Sequence, residues 1–124
     1  MSIEDRVNYS SGSPWEPVLG YSRAVKVGDL LFIAGTSSGG IGETDEEQTR
    51  EIFRRLESAL TEAGAGFANV VRTRIYLTDI ADFDAVGRVH GEIFGEIRPV
   101  TAAVGVTALA SPELLVEIEV DAVL

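Results

Sequence analysis

From Leu115 to Leu124 apolar and polar residues alternate along the chain. In an extended strand Val116, Ile118, Val120 and Ala122 fall on one side, and Glu117, Glu119 and Asp121 on the other. A terminal edge strand in water carries that pattern at little cost. A strand inside a sheet does so only if the acids meet cations or a wet cavity. Residues 70–78 alternate as well, with Arg72, Arg74 and Tyr76 sharing a face. One sheet face is therefore expected to carry both acids and arginines, either simply solvated or acting as a polar interface or site.

The remaining elements follow from the same periodicities. Residues 21–27 and 30–35 read as two strands joined by a Gly28-Asp29 turn. The loop from Thr36 to Gly42 has the glycines of a phosphate cradle but lacks the Gly-Lys-Ser/Thr ending of one. Thr44 followed by Glu47 predicts a capping box. Ile52, Phe53, Leu56, Ala59 and Leu60 then keep helical spacing through Ala63, and Gly64-Ala65-Gly66 stops the helix. After the strand at 70–78, Asp82 is expected to cap a second helix with Phe83, Val86, Val89, Ile93 and Phe94 on its apolar stripe. Gly95 and Pro99 close it, and residues 100–108 form a strand of small residues. Residues 1–20 are expected to be an irregular lead-in, rich in Ser, Gly and Pro from residue 8. The order β-β-α-β-α-β-β predicts an α+β fold, a single domain over residues 1–124 with one sheet and two helices on one face. A small sheet with one bare face usually covers it by oligomerising.

Composition narrows the function. With 124 residues and 45% hydrophobic content the chain is able to build a real core. A net charge of −10 argues against nucleic acid and anionic membranes as partners. The absence of cysteine removes thiol chemistry, and a single histidine, His90, rules out a His-based metal cluster within one chain. No cofactor and no metal are expected. No apolar run reaches the roughly 18 residues of a membrane span. The first six residues lack the build of a signal peptide, so a soluble cytoplasmic chain is expected.

Several stretches in this order resemble the Rid (YjgF) family: Gly20-Tyr21-Ser22-Arg23-Ala24-Val25, Leu31-Phe32-Ile33-Ala34-Gly35-Thr36, residues 71–80, Arg98-Pro99, and Val116-Glu117-Ile118-Glu119. The resemblance covers the chain from about Tyr21 to Leu124. It implies a chorismate-mutase-like fold and a homotrimer with ligand clefts between subunits. It also implies hydrolysis of reactive 2-imino acids to 2-keto acids and ammonia. By that resemblance Tyr21 is a pocket tyrosine, the Gly35-Thr36 backbone lines the cleft, and Glu117 is the acid associated with water activation. Deaminating relatives carry Pro-Ala-Arg-Ser after the second helix, and that arginine grips the substrate carboxylate. Here the stretch is Pro99-Val100-Thr101-Ala102, and the position often held by cysteine is Ala103. Losing a bidentate guanidinium–carboxylate pair costs roughly 2–5 kcal/mol of binding, against about 1 kcal/mol from one threonine hydrogen bond.

Each candidate also has a structural reading. Arg72 and Arg74 either neutralise the acids of the last strand or, for Arg74, point into a cavity and bind substrate; Arg98 would have to rearrange to do so. Glu117 is either the water-activating base or a structural acid, and Tyr21 either a pocket wall or a packed side chain. His90 is either a half-exposed helix residue or part of a cleft, and Trp15 either clamps the lead-in or shields a cleft. The expectation is a Rid-like homotrimer that hydrolyses an imine or related C–N bond. Glu117 would handle water, backbone amides near Ala103 would polarise the electrophile, and Thr101 points to a neutral or larger substrate. The alternative is a metabolite-binding or assembly protein on the same fold without the chemistry. The ribonuclease activity historically attached to relatives is opposed by the acidity and by the lack of a basic stripe.

Overall fold

The computed structural model describes residues 5–124. Six strands form one sheet: β1 (Arg6–Tyr9), β2 (Ala24–Val27), β3 (Leu30–Thr36), β4 (Val70–Leu77), β5 (Val100–Gly105) and β6 (Val116–Val123). Two long helices, α2 (Asp45–Glu62) and α3 (Phe83–Phe94), follow β3 and β4; a short α1 (Trp15–Leu19) precedes β2. The strand order is β1-β2-β3-β6-β4-β5, antiparallel throughout except for the β4–β5 pair. The last strand is thus inserted between two βα units. Among the described residues no helix is long and apolar enough to cross a membrane.

The alternation of β6 is realised in full. Val116, Ile118, Val120 and Ala122 are buried against Ile52, Phe53, Leu56 and Leu60 of α2 and Val86, Val89 and Phe94 of α3. Each such side chain withdrawn from water contributes about 1.5–3 kcal/mol. On the helix-free face Arg72 stands opposite Asp121, Arg74 opposite Glu119 and Tyr76 opposite Glu117.

The capping box before α2 forms as predicted: Thr44 Oγ1 accepts from the Glu47 N–H at 3.1 Å, and the Thr44 N–H donates to Glu47 Oε1 at 3.3 Å. Gln48, one turn into α2, is fully buried and ties two loops together. Its amide nitrogen donates to the carbonyls of Gly42 (3.1 Å) and Glu113 (2.8 Å), and its oxygen accepts from the Leu115 N–H (2.9 Å). The start of β6 is thereby registered against the start of α2.

Three expectations need correction. Residues 1–4 of the expected lead-in lie outside the described residues, and the rest of it is not wholly irregular. β1 pairs with β2 from Arg6↔Val27 to Tyr9↔Ala24, and its mostly exposed positions gave no hydrophobic alternation to read. Helix α1 is five residues, too short for a helical period. It ends at Gly20, whose φ of 76° only glycine adopts freely and whose N–H reaches Glu16 O at 2.9 Å. Second, Asp82 precedes α3 but makes no capping hydrogen bond; Asp79 caps the preceding turn by accepting from the Ala81 N–H at 3.0 Å. The Asp82 carboxyl instead meets Asp45 across the helix starts. Burial and this shared hydrogen bond raise the Asp45 pKa to about 6. Third, β5 ends at Gly105 rather than continuing to residue 108.

Gln48→Leu keeps the volume but removes, at a buried position, the partner of two part-buried carbonyls and one N–H. It is expected to destabilise the protein by roughly 3 kcal/mol or more, measured as a lower midpoint in urea at unchanged slope.

Candidate functional site

The Ala34-Gly35 segment interrupts the β3–β6 ladder: Ile33 pairs with Val120, and the next pair is Thr36 with Ile118. The irregularity opens the sheet beside Glu117. There a cavity of about 660 Å³ is walled by Tyr21 and Arg23 before β2, Gly35 and Thr36 at the end of β3, and Glu117 on β6. Arg54 and Arg55 on α2, Trp15 on α1 and Ser11 complete its rim. That volume suits a small organic ligand.

Gly35 leaves room for the Glu117 side chain. A Cβ there would stand 2.9 Å from Glu117 Oε2, so the carboxylate lies directly over the glycine. Burial raises the Glu117 pKa above the ordinary carboxylate range; the nearby Glu119 adds to the rise and Arg23 opposes it. Arg23 lies on the same glycine: its Nη1 donates to the Gly35 carbonyl at 3.3 Å and to Thr36 Oγ1 at 2.9 Å. The rim is fixed by buried Glu16, which accepts from the Ser11 hydroxyl at 2.7 Å and the Ser11 N–H at 3.1 Å. These hydrogen bonds, the Ser11 hydroxyl first, hold the Glu16 pKa below the usual range.

Four of the seven site residues read from the sequence, Tyr21, Gly35, Thr36 and Glu117, therefore meet in one cavity. The other three do not join them. Arg74 is engaged by acids on β6, its Nη1 lying 3.4 Å from Glu119 and 3.5 Å from Asp121. Tyr76 donates to the same Glu119 at 2.6 Å. Arg98 is exposed, with φ at 55° and its Nε donating to Gly95 O at 2.9 Å. Ala103 packs against the core beside Ile75.

Thr101 lines a second cavity of about 460 Å³ with His90, Arg88 and Phe83. The Thr73 hydroxyl lies 2.6 Å from Thr101 Oγ1 and 2.9 Å from His90 Nε2, linking the three side chains. The His90 ring packs on Phe94 with centroids 4.7 Å apart, and burial lowers its pKa. Thr101 is on the helix-covered face with its neighbour Thr73, whereas Glu117 is on the other. Three strand spacings, at least roughly 14 Å, separate β5 from β3.

Arg23 was not among the residues singled out in the sequence. The available signal was its place two residues after Tyr21, the same side of an extended chain. Among the described residues no group of His, Asp or Glu side chains is arranged to hold a metal ion.

Residues 12–124 match the family model described as endoribonuclease L-PSP. A crystal structure from Mycobacterium tuberculosis, described as a member of the highly conserved YjgF/YER057c/UK114 family, is similar at a TM-score of 0.92 and 55% identity, covering 96% of this chain and 99% of that one. A RutC family protein of Pyrococcus abyssi is 37% identical over 84% of this chain and 86% of its own length. The chloroplastic Reactive Intermediate Deaminase A of Arabidopsis thaliana is 30% identical over 72% of this chain and 51% of its own length.

A raised carboxylate pKa has a definite pH signature. At low pH the group is protonated folded and unfolded, so it costs nothing. As pH rises past the unfolded value, only the folded state keeps the proton, and above the folded value the buried charge opposes folding. Glu117→Gln is therefore expected to stabilise the protein at pH 8 and to lose that advantage by pH 4, read from melting temperatures across the range.

Proposed function

Because this chain belongs to the endoribonuclease L-PSP family, also called YjgF or Rid, we propose that it is a small-molecule hydrolase acting on the C–N bond of an imine or enamine. The observation that carries this reading is the meeting of Glu117, with its raised proton affinity, and the Tyr21, Gly35 and Thr36 wall on one cavity. An acid poised closer to neutrality is suited to both taking and returning a proton. Glu117 takes a proton from water as the oxygen bonds to the imine carbon, and the C=N electron pair moves to nitrogen. The protonated acid returns that proton to nitrogen, giving a carbinolamine. The carboxylate then takes the hydroxyl proton and passes it to the amino group as the C–N bond breaks and the O–H electron pair forms the C=O bond, so a carbonyl compound and ammonia leave. The deaminase name of the Arabidopsis relative supports the same class.

The complete site is formed between subunits of a homotrimer. Two observations favour this. The wall around Thr101 lies two strands from Glu117 and on the other face of the sheet, so a second copy would be the natural source of that wall for a small substrate held at Glu117. The helix-free face also exposes Phe32 (45%), Val100 (58%) and Val104 (45%) around the Arg74–Glu119 pair, an apolar rim that association would cover. Backbone amides near Ala103 then polarise the electrophile. The ribonuclease wording of the family name fits poorly with a net charge of −10. The second reading, a binding protein without chemistry, is favoured by threonine at the position where deaminating relatives grip the substrate with arginine.

The test is ammonia release from a panel of imines made in place by amino-acid oxidases. The wild type is expected to accelerate release, and Glu117→Gln to lower the rate by roughly 10²–10⁴-fold while light scattering returns a three-chain mass for both. No acceleration with any imine would hand the fold to the binding reading, and a monomer at micromolar concentration would remove the shared cleft.

A further inference from the structure

We propose that Arg23 is the anion anchor of the Glu117 cavity, holding a small organic carboxylate from the same protomer that supplies the acid. This rests on the small-molecule reading above and reverses the expectation of a neutral ligand drawn from Thr101 alone.

Three arginines line the cavity, and they are not equivalent. Arg54 and Arg55 share the single carboxylate of Glu51, at 2.6 and 2.8 Å, which tethers both to the helix surface and offsets one of their two charges. Arg23 forms no ion pair among the described residues. It is half-buried, and only its Nη1 is used, by Gly35 O and Thr36 Oγ1. No described residue accepts from its Nε–Nη2 edge, the side of a guanidinium that grips a carboxylate with two parallel hydrogen bonds. The two bonds already made fix the plane of the group, so little side-chain freedom remains to be lost on binding.

The position also gives direction. Arg23 and Glu117 converge on one residue, the first through the Gly35 carbonyl and the second over its Cα. A carboxylate held by Arg23 would place a carbon one or two bonds away close to the Glu117 oxygens. The alternative cations are accounted for: Arg74 by Glu119 and Asp121, and Arg98 by its turn.

The test compares 2-oxobutanoate with its uncharged primary amide, by calorimetric titration of the assembled protein. The wild type is expected to prefer the acid, and Arg23→Gln to weaken acid binding roughly 30-fold or more while the amide is unchanged. Arg23→Lys should keep part of the preference, since charge survives and the fork does not. Melting temperature and light scattering check that each variant is folded and assembled. If Arg23→Gln does not fold, the acid–amide ratio in the wild type and in Arg23→Lys decides. Equal binding of acid and amide by the wild type, or an unchanged ratio in Arg23→Gln, overturns the anchor and leaves the hydrolase reading standing. If neither compound binds yet imines are hydrolysed, the anchor alone falls; if neither binds and no imine is turned over, both fall.

Discussion

The sheet depends on a strand that must satisfy two unlike surroundings at once. β6 pairs with β3 on one side and β4 on the other, so it lies at the centre of the sheet with no free edge. Its apolar side closes the core beneath both helices. Its acidic side needs counter-charges, and β4 supplies them in register as Arg72 and Arg74, with the Tyr76 hydroxyl as a further donor. Each exposed cross-strand pair adds only about 0.2–1 kcal/mol. Their main effect is to prevent acids beside the sheet from standing unpaired. A one-residue slip would send Glu117, Glu119 and Asp121 into the core, so the register is fixed by the cost of every alternative.

The same strand explains where chemistry is available. Of the three acids, Asp121 and Glu119 are engaged by arginines. Glu117 stands beyond them, where the ladder to β3 is broken and a glycine leaves room for its carboxylate. Alternation therefore produces three similar residues, and local geometry separates one from the others. The interruption costs backbone pairing at one point and gives a partly desolvated acid next to a cavity.

How much of this was legible follows the physics of each signal. β6, β4 and α2 announced themselves because burial on one face imposes a period, and the Thr44–Glu47 box because capping needs fixed spacing. β1 and α1 were not legible: an exposed edge strand is chosen by the free edge of β2, and a single helical turn by Gly20 and the Ser11–Glu16 contact. Asp82 carried the right residue type for a cap, yet its carboxyl is drawn to Asp45, which only the meeting of two helix starts reveals. Tyr21, Gly35, Thr36 and Glu117 were named from the sequence and share a cavity, whereas Arg23 was hidden because one arginine before a strand has no pattern of its own. Thr101 was named too, but pairing with Thr73 turns it to the opposite face.

The insertion of β6 also orders events in time. The element that joins the two halves of the sheet is the last of them to leave the ribosome. Until it arrives, β3 with α2 and β4 with α3 and β5 are separate pieces, each with an unpaired strand edge and an uncovered half of the core. Closure then requires pairing across most of the chain, Leu30 with Val123 at one end, a long loop to close before any contact rewards it. A chain that lacks β6 has nothing to pair with the facing edges of β3 and β4. The net charge of −10 opposes the close approach of two such chains whether or not those edges have been covered.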